Sequence, residues 1–190
     1  MLALAIANCN HSFPVFVIEL NQKPQDRFKE PAKYFKEGVL LAADQFMTEI
    51  PKAVEVIYKL FSWTWWITHH ERYMEIKGIV EAIDEPSLTL SKAILINSLY
   101  ELQAWCTSIV AQQADGKIVH SRNLDFDFAN YMRNITFRAN FTRDGEYVYD
   151  AVMFAGTIGV YTGMKANAFS LSENQRWPNS NIFGLVKNLW

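Results

Sequence analysis

The hydrophobic period of this chain changes at one place. From Pro31 to Tyr100 apolar residues recur every three or four positions, as on amphipathic helices, and from Thr107 onward they alternate, as on half-buried strands. The change falls at Trp105-Cys106, and Cys106 is one of only two cysteines in 190 residues. A run of helices followed by a run of strands is the pattern of an α+β protein. Half of the residues are apolar, so the chain can bury a real core; a domain near 150 residues already hides about two-thirds of its unfolded surface.

Phe13 to Leu20 reads as a strand closed by Asn21-Gln22-Lys23-Pro24. Pro31 suits a first helical turn, and Phe35, Val39, Leu40, Ala43, Phe46 and Met47 continue a helix to Ile50. Pro51 restarts the pattern, with Val54, Ile57, Tyr58, Phe61 and Trp65 as the next stripe. Glu71 to Ile83 forms a further helix that stops before Pro86, and Ser87 or Thr89 caps the last one, which runs nearly into Cys106. All four helical segments therefore precede the cysteine. Beyond it, Thr107 to Gln112, Ile118 to Phe126, Ile135 to Phe141, Tyr147 to Phe154, Thr157 to Tyr161 and Ala168 to Ser172 read as strands, with hairpin turns at Asp115-Gly116 and Asp144-Gly145. In the second hairpin a three-residue loop opposes Phe141 to Tyr147, Ala139 to Tyr149 and Phe137 to Ala151, which fits better than a two-residue loop opposing Ala139 to Asp150.

Several function classes are disfavoured by composition. A formal charge of -2 offers no basic stripe for nucleic acid. Cys9 and Cys106 make neither a metal-ligand spacing nor a disulfide framework, and His69-His70 reads as a solvated helix end rather than a metal site. No metal and no cofactor is expected. Met1 to Ala7 is apolar without a basic flank, so it is either the end of a clipped leader or an N-terminal strand. The cluster Phe61, Trp63, Trp65 and Trp66 has two readings, helix packing or a patch facing a membrane or an acyl chain. Three N-glycosylation sequons begin at Asn10, Asn134 and Asn140. The last two share the polar face of an alternating run and should be exposed, which points to a lysosomal or secreted protein.

Pairing register decides what meets Cys106. A two-residue Asp115-Gly116 loop places Asp125 opposite the cysteine; a three-residue loop opposes Leu124 and sets Arg122 diagonally across on the cysteine's face. Either way a charged residue of Arg122-Asn123-Leu124-Asp125 lies beside the sulfur. Positive charge there favours the nucleophilic thiolate. The bland alternative is a buried, inert cysteine beside a structural Arg-Asp pair. A Cys106-His120 dyad is the rival chemistry, although His120 shares the cysteine's face only in the three-residue register and lies farther down the hairpin.

Cys106-Thr107-Ser108-Ile109-Val110-Ala111-Gln112, followed by Gly116 to Phe126 with Arg122-Asn123-Leu124-Asp125 inside it, resembles the nucleophile region of the acid ceramidase and N-acylethanolamine-hydrolysing acid amidase family. Asn97 to Glu101, Phe154 to Gly163 and Phe169 to Arg176 agree with it. The resemblance runs from about Val15 to the end and is strongest around Cys106. It implies an αββα N-terminal-nucleophile hydrolase sandwich, incomplete here, preceded by a helical α-subunit segment. The proenzyme would cut itself between Trp105 and Cys106, leaving residues 1–105 as the α subunit and 106–190 as the first part of a β subunit, the two held as a heterodimer. The freed α-amino group, which ordinarily titrates near pH ~8, would serve as base while Cys106 attacks a fatty amide through a thioester.

The same resemblance implies that Arg122 positions the site, that Asp125 meets the new N-terminus, and that Tyr161 and Phe126 line the substrate channel. The absence of an insertion between Arg122 and Phe141 favours the N-acylethanolamine branch. Two departures stand out. The family's functional glutamate falls on Gln175, which cannot exchange a proton at ordinary pH. The family's later strands and its Asn-Tyr-Asp segment have no counterpart, so a fragment or truncated product is expected; missing oxyanion donors cost ~2.7–4 kcal/mol in a transition state.

Overall fold

The computed structural model describes residues 13–126 and 129–174, with the backbone course alone at 99–105 and 125–126. Strand β1 (Val15–Glu19) leads through a 3-10 turn at Pro24–Asp26 into helices α1 (Lys29–Tyr34), α2 (Lys36–Glu49), α3 (Lys52–Phe61), α4 (Thr64–Thr68), α5 (His70–Ile83) and α6 (Leu90–Gln103). Then follow β2 (Ala104–Gln112), β3 (Ile118–Phe126), α7 (Ala129–Asn134), β4 (Thr136–Arg143), β5 (Glu146–Phe154), β6 (Thr162–Lys165) and β7 (Phe169–Ser172).

Five strands form one sheet in the order β1-β4-β5-β6-β7, and β2-β3 form a separate hairpin. β1 runs parallel to β4, pairing Val15 with Arg138 through Glu19 with Thr142. The parallel pairing requires a long crossover, and the helices α1 to α7 lie within it. They cover one face of the large sheet, where Phe137, Ala139, Phe141, Ala151 and Met153 meet Ile18, Phe46, Ile76, Ile79 and Ile94 in one buried cluster. Each large side chain buried there contributes about 1.5–3 kcal/mol. The hairpin stacks on the opposite face, so the layers run helices, large sheet, hairpin. This is an α+β architecture.

The structure corrects several expectations. The helix expected from Pro31 to Ile50 is two helices broken at Phe35, whose ring turns inward against Phe16 and Phe137 at 6.2 and 6.3 Å. With α4 separate as well, six helices rather than four precede the cysteine among the described residues, and a further helix, α7, follows it. The last upstream helix stops at Gln103 and β2 begins at Ala104, so the strand runs straight through the Trp105-Cys106 bond. Thr157 to Tyr161 is not a strand. Asn97 of α6 instead donates to the Gly156 carbonyl at 3.1 Å and accepts from the Ile158 amide at 3.0 Å, satisfying groups a ladder would otherwise pair.

In the β4-β5 hairpin both expected registers fail. The tip is the two-residue Asp144-Gly145 turn, with Arg143 opposite Glu146, but a bulge after Phe141 leaves Val148 as the extra residue. Phe141 therefore faces Tyr149, stacked at 4.5 Å, and Ala139 faces Ala151. The faces are nonetheless those of the three-residue reading, because the shift is by two positions.

Candidate functional site

The site is built on the β2-β3 hairpin, where the three-residue register is the one adopted. Gln113 and Lys117 close the loop, the Gln113 amide donating to the Lys117 carbonyl at 2.8 Å and Gly116 adopting the positive φ of +83° that the turn needs. Cys106 is consequently opposite Leu124, and Ser108 opposite Arg122. Directly opposed residues share a face, so Cys106, Ser108, Leu124, Arg122 and His120 all point toward the large sheet.

The Arg122 guanidinium bridges separate parts of the chain. Its Nη2 donates to Cys106 Sγ at 3.5 Å and to the Glu173 carbonyl at 2.6 Å, and its Nη1 donates to Thr162 Oγ1 at 2.7 Å. Cys106 is half-buried. With Leu124 and Phe154 it packs on Tyr161, which is 6% exposed and whose ring lies 6.2 Å from that of Phe154. The Tyr161 ring also lies over Gly159, so close that a β-carbon there would stand 2.7 Å from it. Thus a cation and an aromatic floor meet at the sulfur.

A cleft of about 390 Å³ opens beside them between the hairpin and the large sheet. Its walls include Arg122 and Leu124 from β3 and Val152, Phe154 and Thr162 from the sheet, and Met132 and Arg133 of α7 close one end. That volume is of the order expected for a small-molecule site, roughly 300–1,000 Å³.

The rival dyad of Cys106 with His120 is not formed. His120 Nε2 instead meets Ser108 Oγ at 2.7 Å and its Nδ1 meets Ser170 Oγ at 2.8 Å. Asp125 stands across from Trp105, beside the 105–106 peptide bond, and Phe126 across from Ala104. The side chains of Trp105, Asp125 and Phe126 lie outside the described residues, as do Cys9, Asn10 and Gln175. Asn134 is exposed at the end of α7, whereas Asn140 is half-buried in β4, less open than its alternation suggested. Among the four clustered aromatics, Trp65 packs on the core while Phe61, Trp63 and Trp66 are each more than half exposed. Among the described residues no group of three metal-ligating side chains converges and no helix is long and apolar enough to cross a membrane.

Sequence reasoning overlooked Thr162, the Glu173 carbonyl, Gly159 and the serines around His120. The first two come from the far end of the large sheet, which no local pattern ties to β3. The serines could have been found from their spacing: Ser170 and Ser172 alternate on one face of β7, as Cys106 and Ser108 do on β2.

A three-layer α+β protein with a thiol and a guanidinium in contact beneath a strand junction is what fold and site define together. No protein-family model matches the chain. Among curated proteins it is 39% identical over 110 residues to N-acylethanolamine-hydrolyzing acid amidase of Rattus norvegicus, covering 55% of this chain and 30% of that protein. The Caenorhabditis elegans protein of the same name is 29% identical across 92% of this chain and 51% of its own length. Acid ceramidase of Homo sapiens is 34% identical over 127 residues, 60% of this chain and 31% of that protein. The chain is thus related in sequence to the N-acylethanolamine-hydrolyzing acid amidases and acid ceramidases. It spans about half the length of the longest-matching of these relatives and less of the others.

Proposed function

We propose that this chain carries the nucleophile half of a fatty-acid amide hydrolase, cleaving N-acyl lipids to fatty acid and amine. The observation that carries the proposal is the 3.5 Å contact of Arg122 Nη2 with Cys106 Sγ, in a chain related to the acid amidases and beside an apolar cleft. The cation favours the anionic sulfur. In self-cleavage the Cys106 thiol attacks the Trp105 carbonyl carbon, the C–N bond breaks as the C–S bond forms, and water hydrolyses the resulting thioester. The α-amino group of Cys106 is then free. In turnover the thiolate attacks the amide carbonyl of the lipid, the leaving amine takes its proton from that α-ammonium, and water releases the fatty acid. Asp125, across from Trp105 in the ladder, holds the new N-terminus; Tyr161 and Phe126 border the acyl chain.

The α+β layers seen here form the first three layers of an N-terminal-nucleophile αββα sandwich, and the pieces 1–105 and 106–190 stay together as a heterodimer. Residues Asn10, Asn134 and Asn140 carry glycans in a lysosomal or secreted protein, Asn134 being the more accessible of the two described. The N-acylethanolamine branch is favoured over ceramidase by the uninterrupted Arg122 to Phe141 segment.

The test is mass spectrometry of the purified chain incubated at acidic pH. Two pieces divided at 105/106, absent in Cys106→Ala, and a fatty-acyl thioester on Cys106 after exposure to a palmitoyl amide are expected. An intact chain carrying no acyl group refutes hydrolysis by this chain. A second reading, a lipid-surface protein without turnover, is favoured by the exposed run Val56, Ile57, Leu60, Phe61, Trp63, Trp66 and Ile67 on and between α3 and α4, with Trp65 anchoring α4 inward. Flotation with anionic vesicles by an uncleaved chain, lost on exchanging Trp63 and Trp66 for Ser, supports that reading.

A further inference from the structure

Among the described residues, the β2-β3 hairpin shares no backbone ladder with the large sheet. Among the described residues its apolar attachment is at the end that holds Cys106 and Leu124 over Tyr161. Toward the tip Ile109 and Val110 are 59% and 65% exposed, so among those residues no core holds that half in place. Between the two ends sits a compact polar cluster that the chemistry above does not use. Ser108 Oγ lies 2.7 Å from His120 Nε2, and Ser172 Oγ lies 2.9 Å from Ser108 Oγ and 3.3 Å from the same ring nitrogen. On the other side of the ring Nδ1 lies 2.8 Å from Ser170 Oγ.

Each hydroxyl offers one proton and two lone pairs, and an imidazole nitrogen either donates or accepts, so the Ser172–Ser108, Ser108–His120 and His120–Ser170 contacts can all be hydrogen bonds at once. The run Ser172, Ser108, His120, Ser170 thus crosses from sheet to hairpin and back, using both ring nitrogens. Both strands of the hairpin are gripped at the rung next to Arg122, because Ser108 pairs with Arg122 and shares a face with Cys106.

We propose that His120 is a positioning residue: with Ser108, Ser170 and Ser172 it clamps the hairpin to β7 and thereby holds the Cys106 sulfur against the Arg122 guanidinium. Removing the clamp takes away the polar fastening of the hairpin's outer half and lets the sulfur swing from the cation. The inference rests on the proposed function only in taking Cys106 as the nucleophile, and its test reads the uncut chain, so a chain that never cleaves itself still answers it.

The probe is the ratio of alkylation rates at Cys106 by iodoacetate, an anion, and iodoacetamide, its neutral counterpart, followed by peptide mass spectrometry so that Cys9 does not interfere. A thiol beside a cation favours the anionic reagent, whereas general loosening speeds both alike. His120→Phe keeps a ring of similar size and removes both hydrogen-bonding ends; the ratio should fall by about threefold or more. His120→Gln retains a donor and an acceptor and should restore most of it. The paired change Ser170→Ala with Ser172→Ala should act like His120→Phe, and it decides the matter if the phenylalanine chain does not fold by circular dichroism. A wild-type ratio in a folded His120→Phe or double-serine variant overturns the clamp. A Gln variant as impaired as the Phe variant, while folded, overturns hydrogen bonding as its basis.

Discussion

Arg122 joins three parts of the chain that are far apart in sequence: the thiol of Cys106, the hydroxyl of Thr162 and the carbonyl of Glu173. Two of those bonds hold the guanidinium in the plane from which the third reaches sulfur, a geometry that lysine's single ammonium cannot reproduce. Arg122→Lys should therefore keep the charge but lose the placement. Cys106 alkylation by iodoacetate at neutral pH should slow several-fold in that variant and about tenfold or more in Arg122→Met; equal rates in all three chains would remove Arg122 from the site. Asn97 is the second residue whose side chain organises the site from a distance. It donates to the carbonyls of Ala93 and Gly156 and accepts from the Ile158 amide, pinning the irregular segment that delivers Tyr161. Asn97→Ala leaves two half-buried inter-element backbone groups without their partner, at about 1 kcal/mol for each, the lower end of the range for buried groups. Urea unfolding should show the loss, and a change below about half a kcal/mol would contradict it. Hairpin arithmetic set a charged residue beside the sulfur and left open whether Asp125 or Arg122; the three-residue loop that the chain adopts makes it Arg122. Thr162 and Glu173 were not legible in the sequence, because the approach of β3 to β6 and β7 is a tertiary fact with no local signal.

Elements with strong periodicity or a strong turn signal were readable, and the failures occurred where side chains replace the ladder. β3 spans the residues its alternation indicates, and α5 ends at Ile83 with Asp84 in the left-handed conformation, φ +50°. Thr157 to Tyr161 alternates like a strand, yet Asn97 claims its polar groups. α7 is six residues long, too short to express a helical stripe. The bulge at Val148 repeats the lesson, as the β1 carboxylate Glu19 secures the nearby turn by accepting from the Asp144 and Gly145 amides at 3.1 and 3.0 Å. Bonds from the Asn21 amide, the Gly145 amide and the Thr142 hydroxyl hold the Glu19 carboxyl below its usual range. Since the folded state favours the charged form, the stabilisation is present above the unfolded value of roughly 4.3 and is lost as pH falls through the lower folded value. The melting-temperature gap between wild type and Glu19→Gln should thus be widest near neutrality and close on acidification below pH ~4; a gap that widens in acid would reverse the sign and refute the assignment. Packing offers a sharper element-level test at Gly78, where α5 meets the 3-10 turn. A β-carbon there would lie 1.8 Å from the Gln25 carbonyl oxygen, so backbone must move. Alanine gains about 1 kcal/mol of helix propensity, yet Gly78→Ala should lower stability by about 1–3 kcal/mol in denaturant unfolding because overpacking against backbone outweighs it.

At the scale of the whole molecule, the proposed cut at 105/106 does not follow a seam in the fold. β1 precedes the cut and β4 follows it, yet the two pair over five positions within one sheet. The shared core is equally mixed: Ile18, Phe46, Ile76, Ile79 and Ile94 come from the first piece, Ile135, Phe137, Phe141 and Met153 from the second. Nine large apolar side chains at about 1.5–3 kcal/mol each exceed the several kcal/mol of lost translational and rotational freedom that holding two chains together costs. Cleavage should therefore relieve the chain of one peptide bond without releasing either piece. On size exclusion in native buffer the two pieces should elute together at the position of the uncut chain, and separate only with denaturant. Phe137→Ala, which opens a cavity costing about 3–5 kcal/mol in the centre of that shared core, should make the cut pair dissociate at denaturant concentrations the wild-type pair withstands. Pieces that part spontaneously in native buffer would show that the strand pairing and core between residues 1–105 and 106–190 do not hold in solution.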